Sequence, residues 1–341
     1  MVIFDSFFNQ TSAEGIRNLM IQYKKYLTVL AVIFLCGHLI GCAHTSMNPD
    51  YSGPKPLPAT LEKEYDYIRF NGDYSSEILE ENTSFVLKQI RFTPSTNIID
   101  MDHDIILDYY EIRGELKFPV ILVLPIFGGS NYFSKTFAEY FADHGYCSII
   151  VHRQKRYKTF EDLDKMDKIL RQIVFDHKQA IDWVGIQDDL DSERIGVFGI
   201  SMGSIKAALI SSLDKRIKAS VMCLSGGNLA EIIATSDEKG VVRRREEYMK
   251  THDISQTEFH ELLKSRITCD PINYAEYIDA ENSFMVLGRF DSTVPYKNGN
   301  ELWIKIGKPE KITMPTGHYT AILGLPYVKM KSLDFFNRKL R

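Results

Sequence analysis

The sequence has few cysteines, little net charge, no internal repeat and no low-complexity tract. It holds five cysteines in 341 residues, and none of them stands with histidines at zinc-site spacing. Cys147 and Cys223 lie in apolar runs and Cys269 precedes an Asp-Pro pair, so we expect buried thiols rather than a disulfide framework. A formal net charge of −4 argues against a nucleic-acid partner. We expect neither a bound metal nor a cofactor.

Apolar residues are plentiful and follow the periods of both strands and helices. Hydrophobic residues make up 44% of the chain, enough for one large α/β core. Residues 119–124 form the most apolar stretch after the N-terminal region, which predicts a buried strand. Residues 84–92 alternate like a half-buried edge strand, and 105–110 like its partner. Residues 164–184 carry apolar side chains at helical spacing.

A G-x-S-x-G run at 199–203 is the most informative motif of the chain. A short apolar run at 194–198 predicts a strand before it, and 204–210 predict a helix after it. A strand, a sharp turn and a helix are the setting of a nucleophile elbow, which exposes the serine hydroxyl. The flanking glycines remove side chains where strand and helix crowd together. Ser201 is therefore the candidate nucleophile.

A nucleophilic serine needs a base and an orienting acid, and both have candidates downstream. Residues 283–287 predict a strand, and Asp291 follows its end. Residues 311–314 predict the last strand, and His318 follows in a Gly-His pair. After the intervening strand at 219–224 no carboxylate appears until Glu231, which favours Asp291 as the acid.

These three positions resemble the α/β-hydrolase family, in which the triad runs serine, acid, histidine along the chain. The resemblance implies a mostly parallel central sheet with helices on both faces and a helical insertion. It also implies a catalytic triad of Ser201, Asp291 and His318. The N–H groups of Met202 and Phe127 would then form the oxyanion hole. Ordinary loop roles for the acid and the histidine are the alternative.

The resemblance spans residues 84–336 and includes one departure from the family pattern. Pro125 and Ile126 stand where the family's oxyanion loop usually has His-Gly. Residues 270–274 resemble the approach to the acid strand in prolyl-peptidase-like and dienelactone-hydrolase-like branches. The insertion at 227–282 is charged and helical in pattern, and such insertions often cap the site. Its three arginines, at 243–245, bind an anionic substrate or form a solvated helix face.

The N-terminal region has the order of features typical of a secretion signal. Lys24 and Lys25 precede an apolar run at 26–35, and 39–42 end in Leu-Ile-Gly-Cys. This ending resembles a bacterial lipobox, which implies a signal peptide over 1–41 and a lipidated Cys42 at the mature N-terminus. Residues 1–19 fit neither a signal peptide nor a folded core, so Met20 is a candidate translation start. An uncleaved membrane anchor is the alternative.

The segment after the signal is rich in serine and proline, which predicts a tether over 42–60. The hydrolase domain is then expected over 61–341. Ala43 is not the aspartate that retains lipoproteins at the inner membrane, which favours an outer-membrane address in a Gram-negative envelope.

Together these patterns predict a lipid-anchored serine hydrolase of the bacterial cell envelope. Its substrate would be a small-molecule ester or a related acyl compound, and a carboxylic-ester hydrolase is favoured. A serine peptidase or thioesterase is the first alternative. A catalytically silent envelope binding protein of the same fold is the second.

Overall fold

The computed structural model describes residues 41–99, 102–114, 117–126, 132–152, 163 and 165–341. Residues 43–341 form one compact unit. The predicted signal peptide over 1–41 therefore lies outside the described residues except for Gly41. Among the helices that the model describes, none combines the length and the hydrophobicity needed to cross a bilayer.

The described strands form a single ten-stranded sheet. In chain order they are β1 (Ala43–Thr45), β2 (Ser75–Glu81), β3 (Val86–Phe92), β4 (Ile105–Glu111), β5 (Phe118–Leu124), β6 (Cys147–Val151), β7 (Leu190–Ile200), β8 (Ile217–Cys223), β9 (Ser283–Gly288) and β10 (Glu310–Met314). Their order across the sheet is β1-β10-β9-β8-β7-β5-β6-β4-β3-β2. The six strands from β10 to β6 are parallel, whereas β4, β3, β2 and β1 pair antiparallel with their neighbours.

Helices join the strands and cover the sheet. They are α1 (Ala59–Glu64), α2 (Tyr132–Ala142), α3 (Met166–Gly185), α4 (Met202–Leu213), α5 (Leu229–Thr235), α6 (Lys239–His252), α7 (Gln256–Arg266), α8 (Pro271–Tyr274), α9 (Tyr296–Ile306) and α10 (Leu325–Leu340), with 3₁₀ turns at Ala275–Tyr277 and Thr320–Gly324. Every residue of β6 and β9 is buried, and only Phe118 of β5 is partly exposed. Such continuous apolar burial is expected for parallel strands covered on both faces. The predicted α/β-hydrolase fold is confirmed.

One strand position differs from the sequence prediction. The edge strand predicted at 84–92 is present as β3, and it pairs with β4 as expected. It is not the edge, because β2 pairs with its other side. All seven residues of β2 are exposed, so this strand lacks the alternation that sequence analysis relies on.

The segment predicted as a tether over 42–60 is instead packed on the folded unit from Ala43 onward. Ala43–Thr45 pair antiparallel with β10. The N–H of Asn48 donates to the Lys308 carbonyl at 3.0 Å, and the Tyr51 hydroxyl donates to the Ile278 carbonyl at 3.2 Å. Backbone pairing and the contact of one partly buried tyrosine are interactions that Ser/Pro-rich composition does not reveal.

Candidate active site

The loops after the parallel strands meet at one edge of the sheet, as the carboxyl ends of parallel strands must. Ser201 follows β7 directly, Asp291 lies three residues beyond β9, and His318 lies four residues beyond β10. The structure brings these three predicted site residues together at that edge.

Ser201 occupies a strained turn between β7 and α4. Its backbone has φ 54° and ψ −123°, a region that residues with a Cβ rarely adopt. A Cβ on Gly199 would collide with the carbonyl oxygen of Gly203. A Cβ on Gly203 would collide with the carbonyl oxygen of Leu124, at the end of β5. Glycine at both positions is therefore required to seat the elbow against the sheet.

His318 connects the serine to the acid through its two ring nitrogens. Its Nε2 lies 3.0 Å from Ser201 Oγ, and its Nδ1 lies 2.8 Å from Asp291 Oδ2. With the proton on Nδ1, the ring donates to the carboxylate and accepts from the serine hydroxyl. The side chain of His318 is largely buried and that of Asp291 almost wholly so. This chain of hydrogen bonds can withdraw a proton from Ser201.

The acid is held by the main chain of its own loop. Asp291 Oδ1 accepts hydrogen bonds from the N–H groups of Thr293 at 3.0 Å and Val294 at 2.9 Å. The other carboxylate oxygen is left to face His318. Such a turn closed by an aspartate side chain is a common feature of Asp-Ser-Thr sequences. Here the turn fixes the direction in which the carboxylate points.

Two backbone hydrogen bonds join the acid loop to the histidine loop. The N–H of Arg289 donates to the Met314 carbonyl at 2.8 Å, and the N–H of Phe290 donates to the Thr316 carbonyl at 3.0 Å. These bonds continue the pairing of β9 with β10 beyond the ends of both strands. Asp291 and His318 are therefore positioned by two main-chain segments that are hydrogen-bonded to each other.

A second carboxylate, which the sequence analysis did not single out, supports the acid loop from the insertion. Asp237 accepts hydrogen bonds from the hydroxyls of Ser292 at 2.5 Å and Thr293 at 2.7 Å. These bonds lower the pKa of Asp237. A serine and a threonine beside the predicted acid are a weak signal, because their partner lies in a separate segment of the chain.

The predicted oxyanion donors are only partly within the described residues. Met202 is the first residue of α4, so its N–H has no acceptor within the helix and lies beside the nucleophile. Phe127 lies outside the described residues. On α4, the buried side chain of Lys206 donates to the Pro125 carbonyl at 3.4 Å, which ties the helix to the end of the loop after β5.

A cavity of about 620 Å³ opens beside Ser201 and His318. Its walls come from α3, α4, α5, α6 and α10 and from the 3₁₀ turn after the histidine. The predicted insertion at 227–282 supplies one of these walls, from Leu229 to Arg244. Among the described residues, His152, which directly follows β6, does not line this cavity, and its Nε2 lies 2.8 Å from the Asp108 carboxylate.

Comparisons with known proteins agree with this architecture. The model of the dienelactone hydrolase family matches residues 109–243. An uncharacterized protein of Mycobacterium tuberculosis is 24% identical over 163 residues, which cover 47% of this chain and 37% of that protein. The chain thus spans well under half the length of that relative.

Solved structures similar to this chain include two acetyl xylan esterases. The enzyme from a Paenibacillus species aligns with a TM-score of 0.64 at 17% identity, over 83% of this chain and 100% of its own. The enzyme from a Thermoanaerobacterium species aligns with a TM-score of 0.60 at 15% identity, over 84% of this chain and 99% of its own. The acylaminoacyl peptidase of Pyrococcus horikoshii aligns with a TM-score of 0.55 at 17% identity, over 74% of this chain and 42% of its own. At these identities the likeness establishes the fold.

Proposed function

Since this chain is an α/β-hydrolase by fold, we propose that it is a serine hydrolase that cleaves carboxylic esters through an acyl-enzyme. The observation that carries the proposal is the hydrogen-bonded chain from Ser201 through His318 to Asp291. A serine hydroxyl becomes a competent nucleophile when such a base is in hydrogen-bond reach and is itself oriented by an acid.

In the first half of the reaction, Ser201 Oγ attacks the ester carbonyl carbon as its proton moves to His318 Nε2. The carbonyl oxygen becomes an oxyanion, which the N–H groups of Met202 and Phe127 would stabilise. The bond from carbon to the alcohol oxygen then breaks, and the proton on Nε2 passes to the departing alcohol. Asp291 stabilises the imidazolium throughout and holds the ring in the orientation in which Nε2 faces Ser201.

In the second half, water replaces the alcohol. His318 takes a proton from the water, whose oxygen attacks the acyl carbon. The bond to Ser201 Oγ breaks and the proton returns to the serine. The products are a carboxylic acid and free enzyme, so atoms and charge balance over the cycle.

Most of the structural neighbours are esterases, which favours an ester over an amide substrate. An acylaminoacyl peptidase shares the same fold, so peptide hydrolysis is the competing activity. A silent binding protein is the other alternative, because Pro125 and Ile126 replace the usual His-Gly of the oxyanion loop.

We also propose that Cys42 is acylated and holds the protein in the bacterial cell envelope. The proposal rests on three features that follow one another in residues 24–42: two lysines, an apolar run and the sequence Leu-Ile-Gly-Cys. Cys42 is exposed, as an attachment point must be. Stable anchoring requires more than one acyl chain, which a bacterial lipoprotein carries.

A fluorophosphonate probe tests the catalytic proposal, because it reacts covalently with activated serines. We expect one labelled peptide, containing Ser201, and p-nitrophenyl ester turnover that falls by on the order of 10⁴ in Ser201→Ala. Ser76→Ala, on the exposed strand β2, is the control and should keep both properties. Labelling that persists in Ser201→Ala, or a folded wild type that neither labels nor turns over, would contradict the proposal.

A further inference from the structure

The cavity beside Ser201 is lined mostly by aliphatic side chains. Leu170 on α3, Ile205 on α4, Ile232 on α5 and Val328 on α10 represent its main walls. Its volume of about 620 Å³ is within the range of sites that enclose drug-sized ligands. An acetyl group would leave most of this apolar surface without a partner.

Three polar side chains of the lining have hydrogen-bond partners within the protein, whereas Arg244 at the cavity wall has none among the described residues. The Thr293 hydroxyl donates to Asp237 at 2.7 Å, and the Glu238 carboxylate accepts the Val241 N–H at 2.8 Å. Lys206 donates to a backbone carbonyl. A sugar entering this space would lose hydrogen bonds to water and find few replacements, which disfavours carbohydrate.

Apolar surface continues from the cavity to the outside of the molecule. Tyr319 and Ile322 line the cavity, yet they are 67% and 49% exposed. Leu323, the next residue, is 82% exposed, and Phe290 beside Asp291 is 69% exposed. A ligand hydrocarbon chain too long for the cavity would therefore contact apolar side chains where it extends out of the cavity.

We propose that the substrates are esters of long, unbranched carboxylic acids, with the acyl chain seated in this cavity. The proposal rests on the proposed esterase function. Ser201 is itself part of the cavity wall and bonds to the acyl carbon, whereas the alcohol must leave toward solvent. The chain that stays in the cavity through both half-reactions is therefore the acyl chain, and the products are a fatty acid and an alcohol.

A series of p-nitrophenyl esters from acetate to decanoate, each below its solubility limit, tests the proposal. Burying one methylene corresponds to about a fourfold rise in kcat/KM. We expect a rise on the order of a hundredfold from butyrate to octanoate. A maximum at acetate, or a flat series, would overturn the acyl-chain assignment while leaving the esterase function intact. In a second series, acetate esters of alcohols from ethanol to octanol, kcat/KM should rise much less with chain length. A steeper rise in this series would also overturn the acyl-chain assignment.

If a folded enzyme hydrolyses no ester and takes up no fluorophosphonate, the proposed function itself fails. That result is distinct from hydrolysis with the wrong chain-length preference.

Two isoleucines of nearly equal exposure offer a matched pair of variants. Ile322 lines the cavity and is 49% exposed, whereas Ile304 on α9 is 50% exposed and does not line it. Ile322→Asn should lower the ratio of octanoate to acetate kcat/KM by roughly tenfold. Ile304→Asn should leave that ratio at the wild-type value. Equal ratios in the two variants, both folded by circular dichroism, would overturn the proposal.

Discussion

Thr293 Oγ1 lies 2.7 Å from Asp237 Oδ1 and donates the hydrogen bond that joins the insertion to the acid loop. Thr293 also gives its N–H to Asp291 Oδ1 at 3.0 Å. One threonine therefore lies between a carboxylate in the proposed triad and a carboxylate of the insertion. Asp237 contacts neither His318 nor Ser201 by hydrogen bond among the described residues, so it is a positioning residue.

Asp237→Ala removes the acceptor of two hydroxyl groups and should loosen the acid loop. We expect kcat on a p-nitrophenyl ester to fall by about tenfold with little change in KM, because loss of the hydrogen bonds misplaces Asp291 without removing a binding contact. Asp237→Asn keeps one acceptor and should recover part of the loss. Glu246→Ala, an exposed carboxylate on α6, is the control. A change confined to KM would contradict the positioning role.

The three adjacent arginines of α6 have different surroundings and should give three different results. Arg244 lines the cavity, Arg243 is exposed, and Arg245 donates to the carbonyls of Ile233 at 2.9 Å and Ser236 at 3.1 Å. Arg244→Gln should change relative kcat/KM among esters severalfold. Arg243→Gln should change neither activity nor stability.

Arg245→Gln tests the structural role within the same helix. Loss of the two hydrogen bonds that cap the end of α5 should lower the free energy of unfolding by about 1 to 2 kcal/mol, measured in urea. If Arg243→Gln and Arg244→Gln have equal effects on ester selectivity, the arginines form the solvated face that their sequence also allowed.

His177 should make the protein sensitive to acid. Burial, with a smaller effect from the charge of Lys206, lowers the pKa of His177 to about 3, and its Nδ1 donates to the Ile173 carbonyl. The unfolded chain binds a proton near pH 6.5 and the folded chain does not, so stability falls as pH drops below that value. The loss should reach roughly 2 kcal/mol between pH 7 and pH 5.

Urea unfolding of His177→Leu at the same pH values isolates this effect. The difference in unfolding free energy between wild type and variant should shift by that amount, in favour of the variant at pH 5. If this free-energy difference does not change with pH, the His177 ring binds the same number of protons in the folded and unfolded states, which would contradict the prediction.

Acylation of Cys42 can be read from the mass of the mature N-terminal peptide. Expression of the full chain in a bacterial host should give a peptide that begins at Cys42 and carries acyl groups. Cys42→Ser should abolish the acylation and release the protein from the membrane fraction. An unmodified Cys42 in the wild type, or a chain beginning at Met1, would contradict the proposed anchor.

The sequence was sufficient to place Ser201, Asp291 and His318 because each follows a strand that its own residues predict. Chain order and strand ends are local properties, and the topology of a parallel sheet then brings such positions to one edge. The contribution of Asp237 depends on how the insertion packs on the acid loop, which no local pattern encodes. The docking of Tyr51 was missed for the same reason, whereas β2 was missed because its exposed residues do not alternate.

The hydrogen bonds from Arg289 to Met314 and from Phe290 to Thr316 are made by main-chain atoms alone. Substituting the side chains leaves those atoms in place, so the alignment of Asp291 with His318 tolerates mutation. The cavity is bounded by side chains, many of them from the insertion, and changes readily with them. The cavity of the proposed esterase can therefore vary in shape while the alignment of its proposed acid and base is kept.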